Sequence, residues 1–309
     1  MGSSSTVSSP APGEWASPVT GCDLTPNAFL ELPEAAHEAG SMTDTIINGD
    51  CLEVLAALPP ESVDLIVTSP PYAGKRGNVY ATLAAEKYVE WFLPVAGQLK
   101  RVLRPTGSFI LNIKEGCHDG ERETYVLELI IAMQKQGWWW VEEYIWCKKN
   151  CSPGKWPNRF RDAWERCLHF AKQKKFAMYQ DAVMVPAAES TKLRAKHVTT
   201  KEHSRRESAT GSGVGKDRSH WVGRMMAYPS NVLHLATECA NQGHSAAFPL
   251  ALPSWFIRLF TQPGDTVLDP FSGSGTAVLA AQSLGRHWIG IDLSAPSCVL
   301  ARKRLSEAA

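Results

Sequence analysis

Two short stretches carry residue types and spacings that could do chemistry. Thr68-Ser69-Pro70-Pro71-Tyr72 follows the apolar run Val63–Val67, and Asp269-Pro270-Phe271-Ser272-Gly273-Ser274-Gly275-Thr276 follows Thr266-Val267-Leu268. Each reads as a strand that stops abruptly at a turn. In an open α/β sheet, ligands bind beyond the carboxyl ends of the strands. One turn is glycine-rich; the other combines a hydroxyl, two prolines and an aromatic ring, which suggests a cofactor pocket beside a substrate pocket. A glycine turn opening a helix lets backbone approach a ligand closely and offers free N–H groups to an anion. Gly273-x-Gly275 is only part of a dinucleotide fingerprint, because Val278 stands where the third glycine belongs. Asp269 would repel a pyrophosphate but could hold an ammonium group. Asp292, ending the next strand, is placed for ribose hydroxyls. S-adenosyl-L-methionine carries both an amino-acid moiety and a ribose and suits the two carboxylates. A nicotinamide dinucleotide is the alternative.

The elements that must position these turns alternate along the chain. Thr45–Asn48 reads as a strand, and Asp50 and Cys51 open a helix running to Leu58; the plainest role for Asp50 there is an N-cap. Val63–Val67 has the continuous apolar character of a buried parallel strand. A helix is expected over Ala85–Leu103, with Val89, Phe92, Leu93, Ala96, Leu99 and Leu103 on one face. Pro105-Thr106-Gly107 reads as a turn, Ser108–Ile113 as a strand, Thr124–Gln136 as a helix ended by Gly137, and Trp138–Lys148 as a long strand. Between Asn150 and Arg224 the alternation fades, although Ala163–Ala171 could add a strand. Order returns with a strand at Asn231–Leu235 and a helix at Pro253–Thr261. The segments Thr266–Asp269, Thr276–Leu284, His287–Asp292 and Ala295–Leu305 then form a βαβα unit. This succession predicts an α/β fold with a mostly parallel, doubly wound sheet.

With both turns and their order in view, the chain resembles the β-class S-adenosyl-L-methionine-dependent DNA amino-methyltransferases, whose catalytic motif precedes the cofactor motif. The resemblance spans about Ile46 to Leu305 and includes Asn48-Gly49-Asp50-Cys51, similar to the segment that touches adenine, and Gly243-His244-Ser245-Ala246-Ala247-Phe248-Pro249, similar to the segment closing the cofactor pocket. It implies a Rossmann-like class I methyltransferase fold with circularly permuted motif order. It also implies a cofactor site from Asp50, Cys51, Phe248, Pro249, Asp269, Phe271, Ser272, Gly273, Ser274, Gly275, Thr276, Asp292 and Ser294. Ser69, Pro70, Pro71 and Tyr72 are the implied catalytic residues. A base's exocyclic amino group is a poor nucleophile because its lone pair is conjugated into the ring. Ser69 Oγ and the Pro70 carbonyl could accept its hydrogens, on a turn stiffened by the prolines. Tyr72 offers a face for stacking on a flipped-out base. Transfer would be direct and in-line, without a covalent intermediate. Carbon-5 methylation of cytosine uses a thiolate, usually in a Pro-Cys pair, and the sequence has no Pro-Cys. Serine at the first motif position resembles the N4-cytosine enzymes, with N6-adenine as the alternative. More distant alternatives are a nicotinamide-dependent oxidoreductase and a catalytically silent nucleic-acid-binding module.

The formal net charge of +1 excludes a chain that is basic throughout, so DNA contacts must be concentrated locally. Residues 151–242, between the catalytic and cofactor halves (42–150 and 243–309), are expected to hold the target-recognition region, with 190–224 a basic loop. Lys75, Arg76, Arg159, Arg161, Lys192, Arg194, Arg205, Arg206 and Trp221 are the candidate DNA-binding residues. Residues 1–41, rich in Ser, Pro and Gly, read as a flexible arm with a short helix at Ala28–Ala39. No stretch approaches the roughly 18 apolar residues of a membrane span. The eight scattered cysteines lack the paired spacing of a zinc site, and no metal is expected. The expected partner is double-stranded DNA, with a cognate restriction endonuclease and a homodimer compatible with the resemblance, and a cytoplasmic, nucleoid-associated location.

Overall fold

The computed structural model describes residues 42–74, 83–151, 157–187, 189, 225–237 and 248–308. The N-terminal arm with its expected helix, Lys75, Arg76, the stretch 190–224 with all its basic candidates and Trp221, and Gly243–Ala247 lie outside the described residues. In chain order the elements are β1 (Thr45–Asn48), α1 (Cys51–Ala57), β2 (Val63–Thr68), α2 (Ala85–Val102), β3 (Leu103–Ile113), β4 (Cys117–His118), β5 (Glu121–Arg122) and α3 (Tyr125–Lys135). There follow β6 (Trp139–Lys148), β7 (Trp164–Ala171), a 3-10 turn at Gln180–Val183, β8 (Val185–Pro186), β9 (Met226–Ala227) and β10 (Val232–Leu235). The chain closes with α4 (Ala251–Phe260), β11 (Thr266–Asp269), α5 (Thr276–Ser283), β12 (His287–Asp292) and α6 (Ala295–Glu307).

An eight-stranded sheet, ordered β1-β12-β11-β2-β3-β7-β6-β10, forms the centre. Among its described strands only β7 runs against its neighbours, pairing antiparallel with both β3 and β6. The short apolar strands are buried on both faces, as βαβ crossovers require. Ile66 and Leu268 face the core beneath α1, α2 and α3. Leu65, Val67 and Val267 face the one beneath α4 and α5. Full burial of each such side chain is worth roughly 1.5–3 kcal/mol.

One expectation needs correction. Pro105-Thr106-Gly107 is not a turn separating helix from strand. β3 begins at Leu103, directly after α2, and the segment bulges within it: Val63 faces Leu103 while Leu65 already faces Ser108. Proline cannot donate to a ladder, and a bulge accommodates that loss. Within residues 151–242, the strand suggested at Ala163–Ala171 is present as β7 and joins the catalytic sheet. There β7 is an internal strand and β10 an edge strand. The chain enters β7 because Cys167, Leu168, His169, Phe170 and Ala171 are all buried between the two cores. No helix among the described residues is long and apolar enough to cross a membrane.

Candidate active site

From β11 the chain winds through α5 to β12 on one side; from β2 it winds through α2 to β3 on the other. The crevice beyond β11 and β2 is therefore the sheet's topological switch point, where such folds bind ligands. Both predicted turns open there. Thr68, the last residue of β2, donates from Oγ1 to Asp269 Oδ1 at 2.6 Å, linking the two turns across the crevice. Phe271 N–H donates to the same oxygen at 3.1 Å. Asp269 is only 2% exposed. Burial pushes its carboxyl up to about 7 and the nearby Asp292 adds to the rise, while the Thr68 and Phe271 hydrogen bonds oppose it. A buried carboxylate in this condition suits a cationic ligand group, which would restore its charge.

The glycine turn is held from below. Gly273 N–H donates to Asp292 Oδ2 at 2.7 Å, and Ser294 N–H to Asp292 Oδ1 at 2.8 Å. Asp292 thus braces the glycine turn with Oδ2 and the start of α6 with Oδ1, a role that spacing alone did not suggest. Arg304 from α6 reaches the Ser274 carbonyl at 2.6 Å, Ser274 Oγ at 3.0 Å and Thr276 Oγ1 at 3.2 Å, orienting both hydroxyls. Among the described residues, Gly273 (φ +52°) has open space where a side chain would stand, whereas at Gly275 (φ +81°) a Cβ would lie 2.9 Å from Ala301 Cβ. The first glycine leaves room over the turn; the second lets α5 and α6 approach. The Ser272 hydroxyl is buried and has no hydrogen-bond partner among the described residues.

Other expected cofactor residues take mainly structural positions. Asp50 caps α1, accepting from Leu52 N–H at 2.8 Å and Glu53 N–H at 3.4 Å. It stands at the carboxyl end of β1, beside Asp292 at the end of β12. Burial, with Asp50 close by, pushes the Cys51 thiol up to about 12, so it stays protonated. The Phe271 ring packs on Trp91 and Phe92 of α2, at centroid distances of 5.8 and 6.5 Å. Phe248 is buried in the core beneath α4. Pro249 is also buried, and its carbonyl accepts from Leu252 N–H at 2.9 Å.

The Ser-Pro-Pro-Tyr turn is anchored to neighbouring strands. Tyr88 OH donates to the Pro71 carbonyl at 3.0 Å. Ser69 Oγ donates to Tyr72 OH at 3.2 Å, and Tyr72 OH donates to Glu165 Oε2 at 2.7 Å. Lys148 Nζ completes the chain with a 2.6 Å bond to Glu165 Oε1. Asn112 lies 3.4 Å from Tyr72 OH through Oδ1, while its amide donates to the Arg166 carbonyl at 3.0 Å. Burial, and then the Glu165 carboxylate, push the Tyr72 phenol well above its usual range. Sequence reasoning missed Asn112, Lys148 and Glu165. They sit on β3, β6 and β7, and no motif marks them.

Of the candidate DNA residues, Arg159 and Arg161 are described. Arg159 pairs with Asp162 at 3.2 Å, and Arg161 Nη1 donates to the Cys151 carbonyl at 3.4 Å. Between them Phe160 is 95% exposed, a large ring that no sequence pattern singled out. Behind them a charged cluster closes over the ends of β3 and β7. Arg122 bridges Glu115 (3.1 Å) and Asp162 (2.5 Å), and Lys114 Nζ lies 3.4 Å from Asp162 and 3.5 Å from the Trp164 ring centroid.

Sheet order, the antiparallel strand within it and the paired turns define a class I methyltransferase fold. The family described as DNA methylase, which groups N6 and N4 enzymes, matches residues 63–303, and the chain belongs to it. It is similar to the type II methyltransferase M.PvuII of Proteus hauseri, with 31% identity over 86% of this chain and 83% of the relative. M.SmaI of Serratia marcescens is 26% identical over 90% of this chain and 96% of its own. Among solved structures, the PvuII DNA methyltransferase (cytosine-N4-specific) superposes with a TM-score of 0.64 at 26% identity, covering 84% of this chain and 85% of that one. A DNA modification methylase from Thermus thermophilus, complexed with S-adenosyl-L-methionine, superposes with a TM-score of 0.55 at 23% identity, over 85% and 93%, a likeness of fold. The protein is a DNA amino-methyltransferase, and S-adenosyl-L-methionine is its methyl donor.

Proposed function

We propose that the chain methylates the exocyclic N4 of cytosine in a base flipped out of double-stranded DNA. The observation that carries this reading is the Thr68–Asp269 bond, which joins the catalytic turn and the cofactor turn across the switch point. When bound, S-adenosyl-L-methionine supplies an electrophilic methyl group. Asp269 holds the cationic end of that ligand, and Gly273 leaves space above the turn. Ser69 Oγ and the Pro70 carbonyl accept the amino hydrogens, drawing the nitrogen lone pair out of conjugation, and Tyr72 supports the flipped base. No thiolate is called for, in keeping with a Cys51 thiol raised to about 12. The N4 assignment rests on Ser69 and on likeness to a protein described as cytosine-N4-specific. N6-adenine is the second reading, because the matching family includes both kinds. Nucleosides from DNA treated with the protein, separated by mass spectrometry, are expected to include N4-methylcytosine. N6-methyladenine alone would reverse the assignment.

DNA contact is assigned to Arg159, Phe160 and Arg161 beside the site, and to Lys75, Arg76, Lys192, Arg194, Arg205, Arg206 and Trp221. Replacing Arg205 and Arg206 together with Ala is expected to weaken DNA binding uniformly across sequences and to reduce the salt slope by about two, one per lost phosphate contact. Affinity for S-adenosyl-L-methionine should not change. An unchanged slope in a filter-binding titration removes that pair from the interface. A cognate endonuclease and a homodimer belong to the same proposal.

A further inference from the structure

The hydrogen bonds around Ser69 run in one direction. Lys148 donates to Glu165 Oε1 at 2.6 Å. A carboxylate engaged by an ammonium only accepts, so the Tyr72 hydroxyl, 2.7 Å from Oε2, must donate to it. Having spent its proton on Glu165, the Tyr72 oxygen can only accept at its third contact, and Ser69 Oγ donates to it at 3.2 Å. Ser69 therefore has its own proton turned away, and both lone pairs remain for another donor. Asn112 is consistent with this sense: its amide is committed to the Arg166 carbonyl at 3.0 Å, so the atom facing Tyr72 at 3.4 Å is Oδ1, which cannot donate to the phenol oxygen and leaves Ser69 as its donor. Burial and the Glu165 charge keep the phenol protonated. Tyr72 is only partly exposed, Lys148 and Glu165 have side-chain exposures of 21% and 14%, and Asn112 is 3% exposed, so water competes weakly with these bonds. Hydrogen bonds aligned head to tail polarise one another, which makes the terminal hydroxyl oxygen a stronger acceptor.

We propose that Lys148, Glu165 and Tyr72 are positioning residues which set the orientation of the Ser69 hydroxyl, so that Ser69 meets the substrate amino group as an acceptor and not as a donor. The proposal rests on the reading of Ser69 as the group that grips the amino nitrogen. It assigns Tyr72 a task separate from base stacking, one that belongs to its hydroxyl alone. It also explains why a lysine–glutamate pair sits on β6 and β7, at the carboxyl edge beside the catalytic turn, with no direct contact to that turn's serine. A Ser69 free to rotate would offer its proton to solvent or to the substrate in some fraction of encounters, and the amino group needs acceptors.

The test uses single-turnover methyl transfer on full-length protein, with DNA and S-adenosyl-L-methionine affinities measured separately. Tyr72→Phe keeps the ring and removes the hydroxyl; it is expected to slow transfer about tenfold, with both affinities within about twofold of the parent. Glu165→Gln should slow transfer similarly, because an amide can donate to Tyr72 and reverse the chain. The double variant should be no slower than the slower single, since all three groups act through Ser69. In a Ser69→Ala background, Tyr72→Phe should have no further effect on the rate. Thermal melting identifies any variant that fails to fold; if Glu165→Gln does, Tyr72→Phe in the two backgrounds decides alone. If Ser69→Ala is slow while Tyr72→Phe transfers at the parent rate, the orientation proposal is overturned and the reading of Ser69 stands. If Ser69→Ala itself transfers normally, both fall.

Discussion

Asp269→Asn is expected to raise the melting temperature of the cofactor-free protein and to remove most of its affinity for S-adenosyl-L-methionine. The carboxyl is buried at 2% exposure beside Asp292, and its folded-state value is pushed from the ordinary 3.8 up to about 7. A group that binds its proton more tightly when folded stabilises the fold below its ordinary range, and that contribution is lost as the pH rises through about 7. At pH 8 the charged carboxylate is therefore a net cost, on the order of 2 kcal/mol once relaxation is allowed for. Asparagine keeps an oxygen for Thr68 and Phe271 and removes the charge, so melting should rise by roughly 4 °C at pH 8 and by much less at pH 5. Binding should move the opposite way. Removing the buried partner of an ammonium group should weaken affinity at least about 100-fold. In the parent protein, affinity should fall about tenfold per pH unit below about 7, because the carboxyl must give up its proton for the cation. Calorimetric titration at pH 6, 7 and 8 measures both effects. An asparagine variant that binds within threefold of the parent would place the ammonium elsewhere.

The two glycines of the cofactor turn should separate stability from binding in a second experiment. At Gly275, φ of +81° disfavours any L-residue, and an added Cβ meets Ala301 Cβ at 2.9 Å and its Cα at 3.3 Å. Left-handed backbone costs about 1–2 kcal/mol and overpacking about 1–3 kcal/mol, so Gly275→Ala should destabilise by about 3 kcal/mol. The contact is with the Cβ and Cα of an alanine on α6, neither of which can rotate aside as the far end of a flexible side chain would. At Gly273 the φ is +52°, but a Cβ meets nothing within 4 Å among the described residues. Gly273→Ala should therefore cost only about 1–2 kcal/mol of stability. Its methyl group would occupy the space left over the turn, so it should impair cofactor binding more than Gly275→Ala does in whatever fraction of the latter folds. Denaturant unfolding and calorimetry give the two rankings; the opposite order in both would mean that the open side of the turn is not the ligand side.

Several features are legible in the sequence because they are local. A short apolar run ending in a turn residue reads as a buried strand, and β2, β11 and β12 lie where that pattern places them. Glycine at positive φ is required by the turn itself, so Gly273 and Gly275 mark it in the sequence. The bulge at Pro105–Gly107 is not legible in the same way. Proline and glycine signal a turn whenever no neighbouring strand is known, and only pairing with β2 makes a bulge of them. The strand suggested at Ala163–Ala171 is β7, but its antiparallel position between β3 and β6 is not legible, because that depends on which strands lie alongside.

By itself, then, the chain's local chemistry determined two turns of defined character and the strands that carry them, since turn conformation and strand burial depend on residues a few positions apart. Strand order decided the rest. It brought Thr68 to Asp269 across 201 residues, and it set Glu165 of β7 and Lys148 of β6 behind Tyr72. Side chains at the end of a strand acquire partners from whichever strands lie alongside, and no local pattern records which ones those are.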